Sequence, residues 1–292
     1  MTDCSLVNVR NALKLGTESS GDFRNIVFRN CTISARSVGW KPYPEDWKPQ
    51  PSAGISLITA DGGSLERVRV SGITMTGVRA PLFVRLGRRG LGQTVPAAGE
   101  LKDISIAHIV ATGATWPSSI TGIPGHPVSN ISLKDIRITG KGGGKAALLS
   151  RDVPELERQY PDATMFRNVP AYGLYCRHVN GLRAEQLDLT VEQPDARPAL
   201  VLDDVRQSDL RAISATPSAD GGPVIWLRSV RDGTLSGLRR RAGTKTLVRL
   251  SGRGTARVRL VGNDLSPVDQ AVMVDPEVDA GAVRVENDVT RG

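Results

Sequence analysis

Apolar and polar side chains alternate with a period of two in short runs along this chain, as in Ile26, Phe28 and Ile33 against Arg24 and Asn30. That is the period of a strand with one buried side, and no helical period competes with it. The pattern returns in new letters: NALKLGTESSGDFRNIVFRNCTI from Asn11, LERVRVSGITM from Leu65, LKDISIAHIVA from Leu101, VSNISLKDIRI from Val128, VNGLRAEQLDL from Val179, VRQSDLRAISA from Val205 and VRDGTLSGLRR from Val230. An interval of roughly 25 to 50 residues is the mark of a repeat architecture. Before most of these strands lies a second short one: ALKL at Ala12, GISLIT at Gly54, LFVRLG at Leu82, GLYCRHV at Gly173, PALVLDD at Pro198 and PVIWLRS at Pro223.

A unit of two or three short strands joined by Gly, Asn and Asp turns cannot bury its own apolar face, so the units must stack and share one core. The pattern therefore predicts an all-β fold, a right-handed parallel β-helix spanning 1–292 as one domain. Inward Leu, Ile and Val would form ladders, with rungs about 4.8 Å apart. Two segments interrupt the repeat. The Pro-rich piece near 39–53 carries Trp40, Tyr43 and Trp47, which suit either sugar stacking or an end cap. In the second, near 141–168, KGGGK precedes RDVPELERQYPDATMF, which predicts a short helix beginning near Pro154 with Glu155 and Glu157 in its first turn. Excursions from a solenoid fall on one face and often border its groove.

Composition suits a thin solenoid: 39% hydrophobic and only 4% aromatic residues, with 31 Gly and 18 Pro. No apolar run approaches the roughly 18 residues that would cross a bilayer, so no membrane partner is expected. The opening MTDCSLVNVR lacks the basic start and apolar core of a secretory signal. Of the three cysteines, Cys31 and Cys176 read as small buried ladder residues, and Cys4 could pair with Cys31 if adjacent coils align them. No metal-ligand spacing is present, and neither metal nor cofactor is expected. Of the three histidines, His108 reads as half-buried packing in a strand, His126 as a loop residue able to overhang a groove, and His178 simply follows Arg177.

A net charge of +8 and a pI near 9.7 attract polyanions whatever the fold. The chain has neither the stacking aromatics interleaved with basic residues nor the motifs of nucleic-acid modules, so no nucleic acid is expected. Its densest basic run, Arg239 to Arg241, reads as a solvated turn. Strand parity is more specific. If Leu13 and Leu15 point inward, Lys14 points out; the same rule turns Arg85 and Arg177 outward, in equivalent positions of their coils, with Trp226 an apolar platform on the same face. Spaced outward cations fit an acidic polysaccharide or oligosaccharide; equally, they keep an exposed sheet soluble and discourage edge pairing.

Several of these segments resemble glycoside hydrolase family 28, the polygalacturonase-like group. The similarity runs through NALKLGTESSGDFRNIVFRNCTI, AGISLITADGGSLERVRVSGITM, PLFVRLGRRG and SSITGIPGHPVSNISLKDIRITG, over about 1–140. YPDATMFRNVPAYGLYCRHVNGL and ARPALVLDDV look like the later coils of bacterial members. The resemblance implies a pectin lyase-like β-helix, usually secreted or periplasmic. It would hydrolyse bonds between galacturonic-acid-type residues with inversion and without a metal. Inversion needs a carboxylic acid and a carboxylate base held about 6.5–9.5 Å apart. The family places these aspartates on coils before the GTES-like segment, close to where this chain begins, so those coils are expected to be absent. Its G-H-G motif falls at Val9, Arg10 and Asn11, and its R-I-K motif at Ser56, Leu57 and Ile58; the histidine and both cations are missing.

The remaining carboxylates suited to a catalytic role are Glu18, beside Lys14 at the GTES turn, and Asp61, before two glycines in ADGG; both are also ordinary surface-pair or turn chemistry. Asp203 and Asp204 read as turn residues, and Tyr172 and Tyr175 as stacking or packing residues at coil corners. Two functions therefore stand open: a family 28-like hydrolase acting on pectic or related uronic-acid polysaccharide, and a non-catalytic β-helix that binds acidic glycan or serves as a scaffold.

Overall fold

Every pairing between these strands is parallel, and apart from the strands at the two ends each bonds to its counterpart one coil before and one coil after. The computed structural model describes residues 1–7, 10–35, 52–265 and 270–286, and over these the chain is a right-handed parallel β-helix. The Pro-rich excursion with Trp40, Tyr43 and Trp47 lies outside the described residues, as does Val9.

Each coil has a short first face followed by a longer strand that turns two corners. The first face is built from Asn11–Leu15, Ala53–Thr59, Ala80–Leu86, Ser118–Thr121, the starts of Leu174–Gln193 and Leu200–Arg211, then Pro223–Arg228, Thr246–Ser251 and Val272–Val274. The longer strands, such as Phe23–Ser34, Ser64–Thr76, Glu100–Ala114 and Val128–Gly142, supply a second and a third face.

The corners explain the recurring Asn, Asp and Gly. Asn25, Arg67, Asp103, Asn130, Gly181, Gln207, Asp232 and Arg257 follow one another in register, and every one has positive φ. A single left-handed residue bends the strand without breaking its ladder, and Asn, Asp and Gly meet that backbone demand at least cost. Asn30, Gly72, His108, Asp135, Gln186, Ala212 and Gly237 form a second such column. His108 is thus a solvent-facing corner residue, its Nδ1 3.0 Å from Asp135, and not the half-buried packing residue expected of a strand position.

Inside the coil, one continuous core runs the length of the helix. Leu13, Ile55 and Leu82, then, beyond the buried Ser118, Leu174, Leu200, Ile225 and Val248 form a typical ladder of apolar side chains, all buried. Each such side chain contributes about 1.5–3 kcal/mol of burial. Cys31 and Cys176 sit in these ladders as expected. Cys4 does align with Cys31, one step before the Ser5–Thr32 pair, but both thiols are free and donate to the carbonyls of Thr2 and Arg29.

The second excursion differs from expectation in shape. Glu155 and Glu157 do not open a helix; the segment carries only the 3-10 turns Ala146–Leu148 and Ala163–Phe166, the latter capped by Asp162 accepting from the Thr164 N–H at 3.0 Å. The physical reason is competition for carbonyls. Those of Val153, Glu155 and Glu157 accept instead from Arg177, Arg85 and the Arg88 N–H, so the segment is shaped by the coil beneath it.

Candidate functional site

The residues pointing outward from the first face fall into two columns. Register places Lys14 with Ser56, Phe83, Ser119, Tyr175, Val201, Trp226 and Arg249. Arg85 aligns with Ile58, Thr121, Arg177, Asp203 and Arg228. Lys14, Arg85 and Arg177 therefore share outward parity but not one equivalent position: Lys14 lies in the column of Trp226, two residues away from that of the arginines.

Most of this face is roofed. The excursion lays Val153, Ala163, Phe166, Val169 and Ala171 across Ile58, Phe83, Tyr175, Val201 and Trp226, making a second apolar core outside the coil. Arg85 lies beneath the roof at 1% exposure, donating to the carbonyls of Gly122 at 2.8 Å and Glu155 at 2.5 Å, with Phe166 over its guanidinium. Burial pushes it down to about 10, opposed by Glu155 and Glu157, so it stays charged at neutrality. Arg177 donates to the Val153 carbonyl and pairs with Glu155, both at 2.5 Å. Trp226 is 8% exposed between Arg228 and Arg249, its indole N–H donating to Ser251. Tyr172 and Tyr175 are buried with their hydroxyls bonded inside the protein, so neither offers a stacking face. Arg85, Arg177 and Trp226 thus serve the roof in this structure.

The other three proposed site residues meet at the N-terminal shoulder of the roof. Asp61, 1% exposed, takes a bidentate clamp from Arg89 at 2.6 and 3.0 Å and accepts the N–H groups of Leu91 and Ser19. Burial alone would raise its pKa, but these hydrogen bonds outweigh it and hold the carboxyl below the ordinary carboxylate range. Glu18, mostly exposed, reaches the same guanidinium at 3.3 Å. Lys14 donates to the Tyr160 hydroxyl at 3.4 Å, and its ammonium and the Arg89 guanidinium lie 5.7 and 5.5 Å from the centre of the Tyr160 ring. Tyr160, half exposed at 51%, belongs to the roof segment.

Arg89 and Tyr160 were not singled out from the sequence, although both fall in conspicuous runs, LGRRG and ERQYPD. Arg89 holds Asp61 and Glu18 together across the space between separate coils, a role that no spacing in the chain encodes. Asp203 and Asp204 lie within a strand, Asp203 facing outward beside Arg177 and Tyr175, and Asp204 at a corner of positive φ. Among the described residues, no group of three or more His, Cys, Asp or Glu side chains is arranged to hold a metal ion. Compared with known proteins, this chain matches no family model, no curated protein and no solved structure.

Proposed function

We propose that this β-helix binds an anionic oligosaccharide at the shoulder formed by Lys14, Glu18, Arg89 and Tyr160, without hydrolysing it. The observation that carries the reading is the pairing of Lys14, which has no carboxylate partner among the described residues, with the half-exposed Tyr160 ring. An ammonium with no carboxylate partner has donors left for a charge-assisted hydrogen bond to a sugar carboxylate, and an exposed aromatic edge offers apolar contact to a pyranose. The basic balance of the chain favours such a ligand, and the resemblance to family 28 leads to the same uronic-acid class. Two features weigh for binding over catalysis. Asp61 is held ionised and buried by Arg89, which suits a structural carboxylate better than a general acid. Glu18 is then the one carboxylate of the pair open to solvent, whereas inversion needs two.

Calorimetric titration with galacturonate oligosaccharides tests this reading. Lys14→Ala should weaken binding about tenfold, the equivalent of one charge-assisted hydrogen bond, with no new reducing ends released by the parent protein. Affinity unchanged from the parent in both Lys14→Ala and Tyr160→Ala would overturn the site, and sustained release of reducing ends would overturn the non-catalytic assignment.

A further inference from the structure

The second face, between the two corner columns, is open: its outward side chains Val27, Arg69 and Arg183 are exposed. Two cavities on it, of about 700 and about 370 Å³, share Asp103, Asn130 and Ser132 and so form one trough along the helix axis. Its floor is the outward column that runs in register from Val27 through Arg69, Ser105, Ser132 and Arg183 to Arg259. One bank is the first corner column, which supplies the amide side chains of Asn25, Asn130 and Gln207. Most charges in the lining are spent on each other. Asp209 is held by Arg211 at 2.6 and 2.9 Å, Asp232 by Arg257 at 2.5 and 2.8 Å, Arg259 by Glu286 at 2.8 Å and Arg67 by Glu66 at 2.9 Å. The remainder is cationic. Arg69 and Arg183 have no side-chain partner among the described residues, and neither has Arg29, exposed on the first coil of the same face. Asp103 is the one lining carboxylate outside an ion pair, and it accepts from Asn130 at 3.0 Å.

We propose that this trough is a binding track for a linear polysaccharide whose carboxylates are separated by neutral sugars, the chain lying along the helix axis. Charge complementarity carries the assignment. Each unpaired guanidinium takes one carboxylate through two parallel hydrogen bonds. Arg69 and Arg183 stand three rungs apart, about 14 Å, with Ser105 and Ser132 between them. Those hydroxyls and the corner amides both donate and accept, which suits the hydroxyl groups of intervening neutral sugars. A densely charged polyanion fits less well, because Asp103 lies on the bank between the two arginines and repels it. Single-stranded nucleic acid fits less well again, since no aromatic side chain lines either cavity to stack a base. Both arginines project from strands paired on either side, so the ladder sets their spacing before a ligand arrives and little ordering is left to pay on binding. The track lies on a different face from the shoulder and does not rest on the reading given for that site.

Calorimetric titration with hyaluronan oligosaccharides, in which glucuronate alternates with a neutral N-acetylated sugar, tests the track at physiological ionic strength, where distant charges are screened. The parent should bind, and the double variant Arg69→Ala with Arg183→Ala should bind about a hundredfold more weakly, the equivalent of two charge-assisted hydrogen bonds. Both positions are exposed and unpaired, so this variant keeps its fold. Arg151→Ala with Arg167→Ala removes the same charge from exposed positions of the roof segment and should keep the parent affinity. Lys14→Ala should keep it too, which separates the track from the shoulder. No binding by the parent, unchanged affinity in the Arg69 and Arg183 double variant, or an equal loss in the roof double variant would overturn the track. Single-stranded DNA bound as tightly as hyaluronan, and lost in the same double variant, would overturn the glycan assignment.

Discussion

The first and second faces of this β-helix carry cations at outward positions of the same parity, yet meet opposite fates. On the second face, register lines up Val27, Arg69, Ser105, Ser132, Arg183, Asp209, Thr234 and Arg259. Arg69 and Arg183 are exposed, with no side-chain partner among the described residues, and the column floors an open trough of about 700 Å³ near Ser132 and Arg183. On the first face, Arg85 is sealed under the roof. The difference lies in the neighbours. Outward positions of the first face include Ile58, Phe83, Tyr175, Val201 and Trp226, which demand cover, whereas serine, threonine and aspartate on the second face do not. Parity decides which way a side chain leaves the strand; the apolar content of its column decides whether water reaches it.

The roof should be an integral part of the fold, and truncating its anchor is the most severe way to break the contrast. Phe166→Ala, which empties a site 3% exposed against Phe83 and Arg85, should cost about 3–5 kcal/mol in a urea titration. A loss below about 1 kcal/mol would mean the roof is a loosely attached flap. Matched arginine substitutions sharpen the comparison. Arg85→Ala leaves the Gly122 and Glu155 carbonyls buried without their donor and should cost about 2–3 kcal/mol.

Acid stability isolates the shoulder. Asp61 has a folded-state pKa below its ordinary value, so its contribution is fully present above the unfolded carboxylate pKa of about 3.9 and is lost as pH falls through the lower folded value. Asp61→Asn should lower stability at neutral pH by about 1–2 kcal/mol, and the gap to the parent should narrow on acidification below about pH 4. A gap that stays constant to low pH would show that Asp61 is not the clamped carboxylate described. The smallest effect belongs to the open face, where Arg69→Ala should stay within about 0.5 kcal/mol of the parent.

Much of the architecture was legible before any coordinates. The alternation in LERVRVSGITM and its relatives, together with Asn and Asp at recurring intervals, pointed to stacked coils with corners, and the ladders and positive-φ columns are those features in space. One signal was available and went unread. AGISLIT and APLFVRL are buried at every position, unlike the alternating SLERVRVSGITMT, and a strand apolar on both sides needs cover on both sides. The helix expected at Pro154 failed for a reason outside the segment, since its carbonyls are claimed by Arg85 and Arg177 from distant coils.

What the sequence determined by itself was the repeat: alternation sets one buried side per strand, units that cannot bury that side alone must stack, and left-handed corners select Asn, Asp and Gly. What only the tertiary structure decided was which outward residues remain in contact with water and which charges meet. Lys14, Arg89 and Tyr160 come from three separate stretches, as do Glu155, His178 and Asp204, and their meeting depends on how an excursion folds back over the coil. Strand periodicity is a local property carried by neighbouring residues, whereas burial and charge pairing are sums over everything packed nearby.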